Sequence, residues 1–342
     1  MTNAKRPGTF MQSEIIEQPQ RWLDLLAQRE AIDDVVRMIN NVNPQFFVIA
    51  ARGSSDHAGL YGQCLAHNIL GVPTMFATPS SVTVYDAKLC YPRAAMLAVS
   101  QSGASPDLLS VASAARHAGV LTVALTNDPD SSLAMNSDTH VSLYAGPELS
   151  VAATKTYTAE MLALYLIFQR IAGVNWTHID GDVRYVADKA TELINRQDYA
   201  EALAATLTNS DRVMVIGRGY SYATAKEAAL KLTETSGFAA SGWSAADAMH
   251  GPIGQIHENT PVILLETGIR GRNSIEALGD KALALGAHVL RIRLPIDIEK
   301  TPESLVPLLE ILPMQVAALR CALSCGRNPD SPIGLAKITQ TV

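Results

Sequence analysis

Phe46-Phe-Val-Ile-Ala-Ala51 runs into Arg52-Gly53-Ser54-Ser55 and then into a helical pattern from Asp56 to Leu70. A short apolar run with β-branched residues, halted by a glycine turn before a helix, reads as strand, turn, helix. About 166 residues later the pattern returns: Arg212 to Ile216 (RVMVI) stops at Gly217-Arg218-Gly219-Tyr220-Ser221 before a helical stretch from Tyr222 to Ser236. Two further pairs keep the order. Ala94 to Val99 ends at Ser100-Gln101-Ser102-Gly103, and Val262 to Leu265 ends at Glu266-Thr267-Gly268. Gly119-Val120 leads into LTVALTN, as Gly286-Ala287 leads into HVLRIRL. Strands alternating with helices imply parallel pairing through right-handed crossovers. Each copy is predicted to be a flavodoxin-like α/β unit, a parallel sheet flanked by helices in three layers, and the chain a tandem of two.

Outward from this repeat, residues 1–34 read as an N-terminal helical segment and 35–175 as the first unit. Residues 176–325 read as a linking helix plus the second unit, with the charged helical pattern between Trp176 and Ser210 as the connection. The Pro- and Gly-rich stretch 326–342 reads as a C-terminal tail. The 342 residues are enough for two domains, and 48% hydrophobic with 18% charged residues argues against disorder. A formal net charge of −6 supplies no basic field, so neither nucleic acid nor an anionic membrane is an expected partner. Glu14 and Glu17 interrupt any signal-peptide core, and no run reaches the roughly 20 apolar residues of a membrane span, so a cytoplasmic location is expected. Cys64, Cys90, Cys321 and Cys325 form no C-x-x-C pair and are read as ordinary reduced residues, with no metal and no cofactor expected.

Ligands of such sheets bind at the carboxyl ends of the strands. There the segment Ser100-Gln101-Ser102-Gly103-Ala104-Ser105 precedes Pro106, a residue suited to a first helical turn, with Ser105 as its cap. Free amides, the positive end of the helix dipole and neighbouring hydroxyls could hold a phosphate there without any arginine. Gly103 would let the backbone approach. Alone, the same segment reads more often as a polar strand-to-helix turn with Ser105 as an ordinary cap. The matching loop of the second copy carries Glu266, which would repel an anion, so only the first copy is expected to grip the ligand. A dinucleotide is disfavoured because Gly217-Arg218-Gly219-Tyr220-Ser221-Tyr222 has two of the three glycines of G-x-G-x-x-G.

ARGSSDHAG, SQSGAS, GPELSVAATKTYT, ALKLTE, DAMHGP and NPDSPIGLAK stand in that order from residue 51 to residue 337. Together they resemble the tandem sugar isomerase (SIS) family, specifically the isomerase half of glucosamine-6-phosphate synthase and the SIS-type glucosamine-6-phosphate deaminases. The resemblance implies that Gly53, Ser54 and Ser55, with Ser100, Gln101, Ser102, Gly103 and Ser105, bind the phosphate of a sugar 6-phosphate. It implies that Val151, Ala152 and Ala153, followed by Thr154-Lys155, line the sugar site mostly through backbone. It makes Glu234 the catalytic carboxylate with Lys231 one turn before it, and Lys337 the cation of a tail over the active site. His250 is implied to reach the active site of the partner subunit in a homodimer. Arg52, Ala104, Thr233 and Asp247 depart from the family pattern, and the tail lacks the Arg-Asn pair usual in the synthase.

Moving a proton between adjacent sugar carbons needs one base, and a carboxylate suffices. Lys231 and Glu234 at i,i+3 share a helix face, so the ammonium can support the charged carboxylate; by itself such a pair is usually a solvated ion pair. Glu234 falls about four turns along its helix. Histidine suits ring opening near neutral pH: His250 precedes Gly251-Pro252, and His57 is a second candidate of more structural character. With no amino-terminal nucleophilic cysteine in the sequence read, the expected net reaction is deamination of glucosamine 6-phosphate to fructose 6-phosphate and ammonia. The alternatives are a synthase-like aminotransfer from free ammonia, another aldose–ketose isomerase or deglycase, and a non-catalytic sugar-phosphate sensor.

Overall fold

The computed structural model describes residues 6–337 except 197, 208 and 209. Among the described residues, nine strands and ten helices of eight or more residues make up the framework. In chain order the helices are α1 (Thr9–Leu26), α2 (Arg29–Val42), α3 (Ser54–Leu65), α4 (Pro106–His117), α5 (Lys155–Ile171), α6 (Trp176–Asn195), α7 (Asp198–Leu207), α8 (Ser221–Ser236), α9 (Arg272–Ala284) and α10 (Val306–Ser324). The chain divides into two compact units that interleave in sequence. One comprises Gln20–Pro147 and Lys155–Val183; the other comprises the residues up to Pro19, the loop Glu148–Thr154, and Arg184–Lys337.

The first unit is built on β1 (Phe46–Ala50), β2 (Thr74–Phe76), β3 (Ala94–Ser100), β4 (Leu121–Thr126) and β5 (Thr139–Ser142), in the order β2-β1-β3-β4-β5. Every pairing is parallel. Successive strand residues point to opposite faces, and both faces are covered. Val48, Ala50, Met96 and Ala98 pack on Leu108, Val111, Ala112 and Ala115 of α4. On the other face Phe47 meets Phe168 of α5 edge to face, with ring centroids 5.2 Å apart. Ala50 pairs with Ala98 across β1 and β3, so the turn at 51–55 and the loop at 100–105 leave the sheet as neighbours.

The second unit repeats the plan with β6 (Arg212–Gly217), β7 (Ala239–Ser244), β8 (Pro261–Leu265) and β9 (His288–Ile292), again all parallel, in the order β7-β6-β8-β9. This is the order of the first sheet without its last strand, and both obey the doubly wound rule that places loops for ligands beyond the strand ends. Met214, Ile216, Val262 and Leu264 form a core with Ile275, Leu278 and Ala282 of α9. The strand-turn-helix repeat thus folds as two flavodoxin-like sheets flanked by helices. Three strands escaped the sequence reading: the edge strands β2, β5 and β7.

One helical stretch among the described residues, Glu303–Ser324, is long and apolar enough to cross a membrane, but 83% of its apolar window is buried inside the protein. Glu310 and Gln315 are buried within it.

Candidate functional site

β3 ends at Ser100, whose Oγ accepts from the amide of Gly103 (3.2 Å), and Ser102 Oγ accepts from the amide of Ala104 (3.3 Å). Each hydroxyl therefore folds the loop while keeping its own hydrogen to donate. Gly103 has φ +59°, and a Cβ there would stand 2.3 Å from Ser131 Oγ, so both conformation and space demand glycine. Pro106 opens α4 and Ser105 occupies the cap position, yet the Ser105 side chain makes no capping bond. In the first turn of α4 Pro106 has no N–H and the Leu108 amide donates to Asp107 Oδ1 (2.9 Å), which leaves the Asp107 amide as the open donor of the helix start. Gln101, Ser102 and Ser105 are half-buried at the loop surface.

The neighbouring turn differs from expectation in one respect. Ser55 Oγ donates to the buried Glu160 carboxylate of α5 (2.8 Å), so its side chain is engaged inside the unit. What it can offer an anion is its backbone amide in the first turn of α3, beside Ser54 and Gly53, the latter at φ +57°.

The equivalent places in the second unit are filled from within. Glu266 does not face outward as a repelling charge: it is fully buried, and Arg291 Nη1 (2.5 Å) and Arg293 Nε (2.8 Å) of the β9 strand and its end neutralise it. Arg272 closes the loop by donating Nε to the carbonyls of Glu266 (3.0 Å) and Gly268 (3.1 Å) and Nη2 to that of Thr267 (3.0 Å). A guanidinium sits on carbonyls where the first unit leaves donors open. The serine–glutamate pair, however, recurs: Ser221 Oγ donates to Glu310 of α10 (2.6 Å), which also accepts from the Thr267 amide (3.1 Å). Burial pushes the Glu310 carboxyl up to about 7 although these bonds and Arg272 pull the other way.

The candidate acid–base residues lie in this second unit. Lys231 is completely buried, 2.5 Å from Glu234 Oε2 and 3.4 Å from Glu227 Oε1. Burial alone would lower its pKa, but the fields of Glu227 and Glu234, with a smaller part from Glu148, outweigh it and hold the ammonium well above the usual lysine range. Glu227 is buried, whereas the Glu234 side chain is 23% exposed and is the carboxylate open to a ligand.

Glu148 gathers the remaining groups. Its buried carboxylate accepts from Lys337 Nζ (2.7 Å) and from the Thr154 amide (3.0 Å), and Lys337 also donates to the Ser150 carbonyl (2.7 Å). The loop that carries Val151, Ala152 and Ala153 is pinned further by Glu14, which accepts from the amides of Leu149 and Ser150, and by the Val151 amide donating to the Asp330 carbonyl (3.1 Å). Lys337, expected as the cation of a tail over the active site, is ion-paired at the base of this loop. His250 is exposed in a turn after Ser244–Ala248, and Gly251 behind it has φ +147°. No described residue bonds its ring.

The structure therefore groups Glu234, Lys231, Lys337, His250 and the 151–153 loop in one unit, and Gly53 to Ser55 with Ser100 to Ser105 in the other. The sequence reading missed Glu148, Glu227, Glu160 and Glu310. Only Glu227 carried a local signal, since it precedes Lys231 by four residues on the same helix face. Among the described residues no group of three or more His, Cys, Asp and Glu is placed to hold a metal ion. Burial pushes the Cys321 thiol up to about 12, which leaves it unreactive.

The SIS domain matches residues 38–170 and 206–303, one stretch for each sheet. The chain belongs to the SIS-domain family. This SIS protein is 30% identical to the isomerizing glutamine–fructose-6-phosphate aminotransferase of Pyrococcus horikoshii over 96% of its own length and 57% of the relative's, so it spans little more than half of that protein. A provisional phosphosugar isomerase from Silicibacter pomeroyi DSS-3 shares 32% identity over 94% of this chain and 99% of its own, with a TM-score of 0.83. Glucosamine-6-phosphate deaminase of Thermotoga maritima has the same fold, with a TM-score of 0.79 at 19% identity over 97% of this chain and 100% of its own.

Proposed function

We propose that this SIS protein acts on an amino-sugar 6-phosphate, converting glucosamine 6-phosphate and water into fructose 6-phosphate and ammonia. The observation that carries the reading is the buried Lys231 held between two carboxylates, only one of which, Glu234, is open to a ligand. Such an arrangement fixes a single base in position. In the proposed reaction Glu234 takes the proton from C2 of the open-chain sugar and returns it to C1, leaving a C2 imine. Water adds to that imine, and ammonia departs. The amides and hydroxyls of 53–55 and 100–105 would take the phosphate, the backbone of 151–153 the sugar, and exposed His250 would serve ring opening in a second copy of the chain.

Incubating the full chain with glucosamine 6-phosphate and following ammonia enzymatically tests the reading. Ammonia and fructose 6-phosphate should form in equal amounts. Ketose or aldose interconversion without ammonia would replace deamination by simple isomerisation. The Pyrococcus horikoshii relative favours a second reading, aminosugar formation from fructose 6-phosphate and ammonium, which the same assay run in reverse reports.

A further inference from the structure

We propose that Arg52 is a further phosphate ligand of the first-unit cradle, presented at the start of α4 by the carboxylate of Asp107. The inference rests on the reading of 100–105 as the phosphate site. Sheet register supplies the placement: Ala50 lies opposite Ala98, so Arg52, two residues on, emerges beside the strand end that carries Ser100. Its Nε donates to Asp107 Oδ2 at 2.8 Å. Asp107 is the second residue of α4, 4% exposed, and its other oxygen accepts from the Leu108 amide at 2.9 Å. The guanidinium is therefore fixed through one edge. No described residue accepts from its two terminal nitrogens, and half of the side chain (49%) meets solvent.

A guanidinium held by Nε and open at both Nη atoms is the fork that binds phosphate with two parallel bonds. Placed alone at a helix amino terminus, it would be disfavoured by the positive end of the dipole. Asp107 offsets that repulsion, and a bound dianion would reverse it. As a stabilising device a half-exposed ion pair contributes little, so a purely structural role has little to explain. The repeat supplies a contrast. Arg218 stands at the corresponding place of the second unit, but its Nη1 donates to Ser244 Oγ (3.0 Å), and the loop across from it is closed by Arg272.

Calorimetric titration of the full chain with fructose 6-phosphate, and with unphosphorylated fructose as the control, tests the assignment. Arg52→Ala should raise the Kd for the sugar phosphate about 10- to 100-fold, the loss expected for charge-assisted bonds. Binding of fructose and the melting temperature should change little. Arg52→Lys should recover part of the affinity, Asp107→Asn should lose less than Arg52→Ala, and Arg218→Ala should leave the Kd unchanged. An unaltered Kd in Arg52→Ala, with the native chain binding normally, would make Arg52 a surface ion pair only and overturn the proposal. Failure of the native chain to bind any sugar phosphate would instead overturn the phosphate-site reading, and this inference with it.

Discussion

The loops at 100–105 and 266–271 leave equivalent strands of two sheets with the same strand order, yet they are finished in opposite ways. The first closes on its own serines and leaves their hydroxyl hydrogens, with the Asp107 amide, at a helix start. The second turns its carbonyls onto Arg272 and sinks Glu266 between two arginines. The two units share a scaffold, including a serine–glutamate bond in each, while one loop presents donors and the other turns its acceptors onto an arginine. The second loop is thus occupied by its own side chains, and its carboxylate is neutralised rather than turned outward. If the copies have divided their work, damage to the first should appear as lost affinity and damage to the second as lost turnover.

The largest effect is expected where that division is sharpest. Glu234→Gln should lower kcat by roughly 10²- to 10⁴-fold, the usual weight of a general base, with the Kd for fructose 6-phosphate nearly unchanged. Equal losses in both would end the division. Gly103→Ala should do the reverse, weakening sugar-phosphate binding at least tenfold. It should also destabilise the fold by about 2 kcal/mol, because a side chain at φ +59° is strained and collides with Ser131. The matching lesion in the second unit, Arg272→Ala, should leave affinity intact and cost about 1–3 kcal/mol in a denaturant titration, since three carbonyls lose their donor.

Glu310 gives the subtlest contrast. Because its folded pKa of about 7 lies above the ordinary 4.5, the folded chain holds a proton through that window which the unfolded chain has released. Its contribution to stability should therefore fall as pH rises from about 4.5 to 7 and flatten above, by up to about 1.4 kcal/mol per pH unit. Glu310→Gln keeps the shape of the group and should remove that slope. A variant that retains the native pH profile would show that the carboxyl titrates normally in the folded chain.

What could be read from the sequence was whatever one stretch of chain decides alone. Buried strands such as β1, β3 and β6 are apolar on both faces, so their composition announces them, and the loop at 100–105 carries its own turn and helix-start chemistry. The edge strands do not. β2 has three residues, β5 reads Thr-His-Val-Ser, and β7 is mostly alanine, serine and glycine. In β7 the composition reflects close approach, because a Cβ at Gly242 would lie 2.3 Å from the Ala225 carbonyl of α8. The helix after β1 begins at Ser54, two residues ahead of the expected Asp56. Glu160 and Glu310 were opaque for another reason: each is an isolated acid in an apolar helix whose serine partner lies far away in sequence. Glu148 and Lys337 are 189 residues apart, a distance no local pattern spans.

That last separation bears on how the chain is finished. Glu227 and Glu234 share Lys231 of α8, and Glu148 pairs with Lys337. During synthesis Glu148 emerges well before its partner Lys337. A chain stopped short of residue 337 would leave the buried Glu148 carboxylate without that cation, at the point where the 148–154 loop is anchored. Settling of that loop is in this way tied to a residue made 189 positions later.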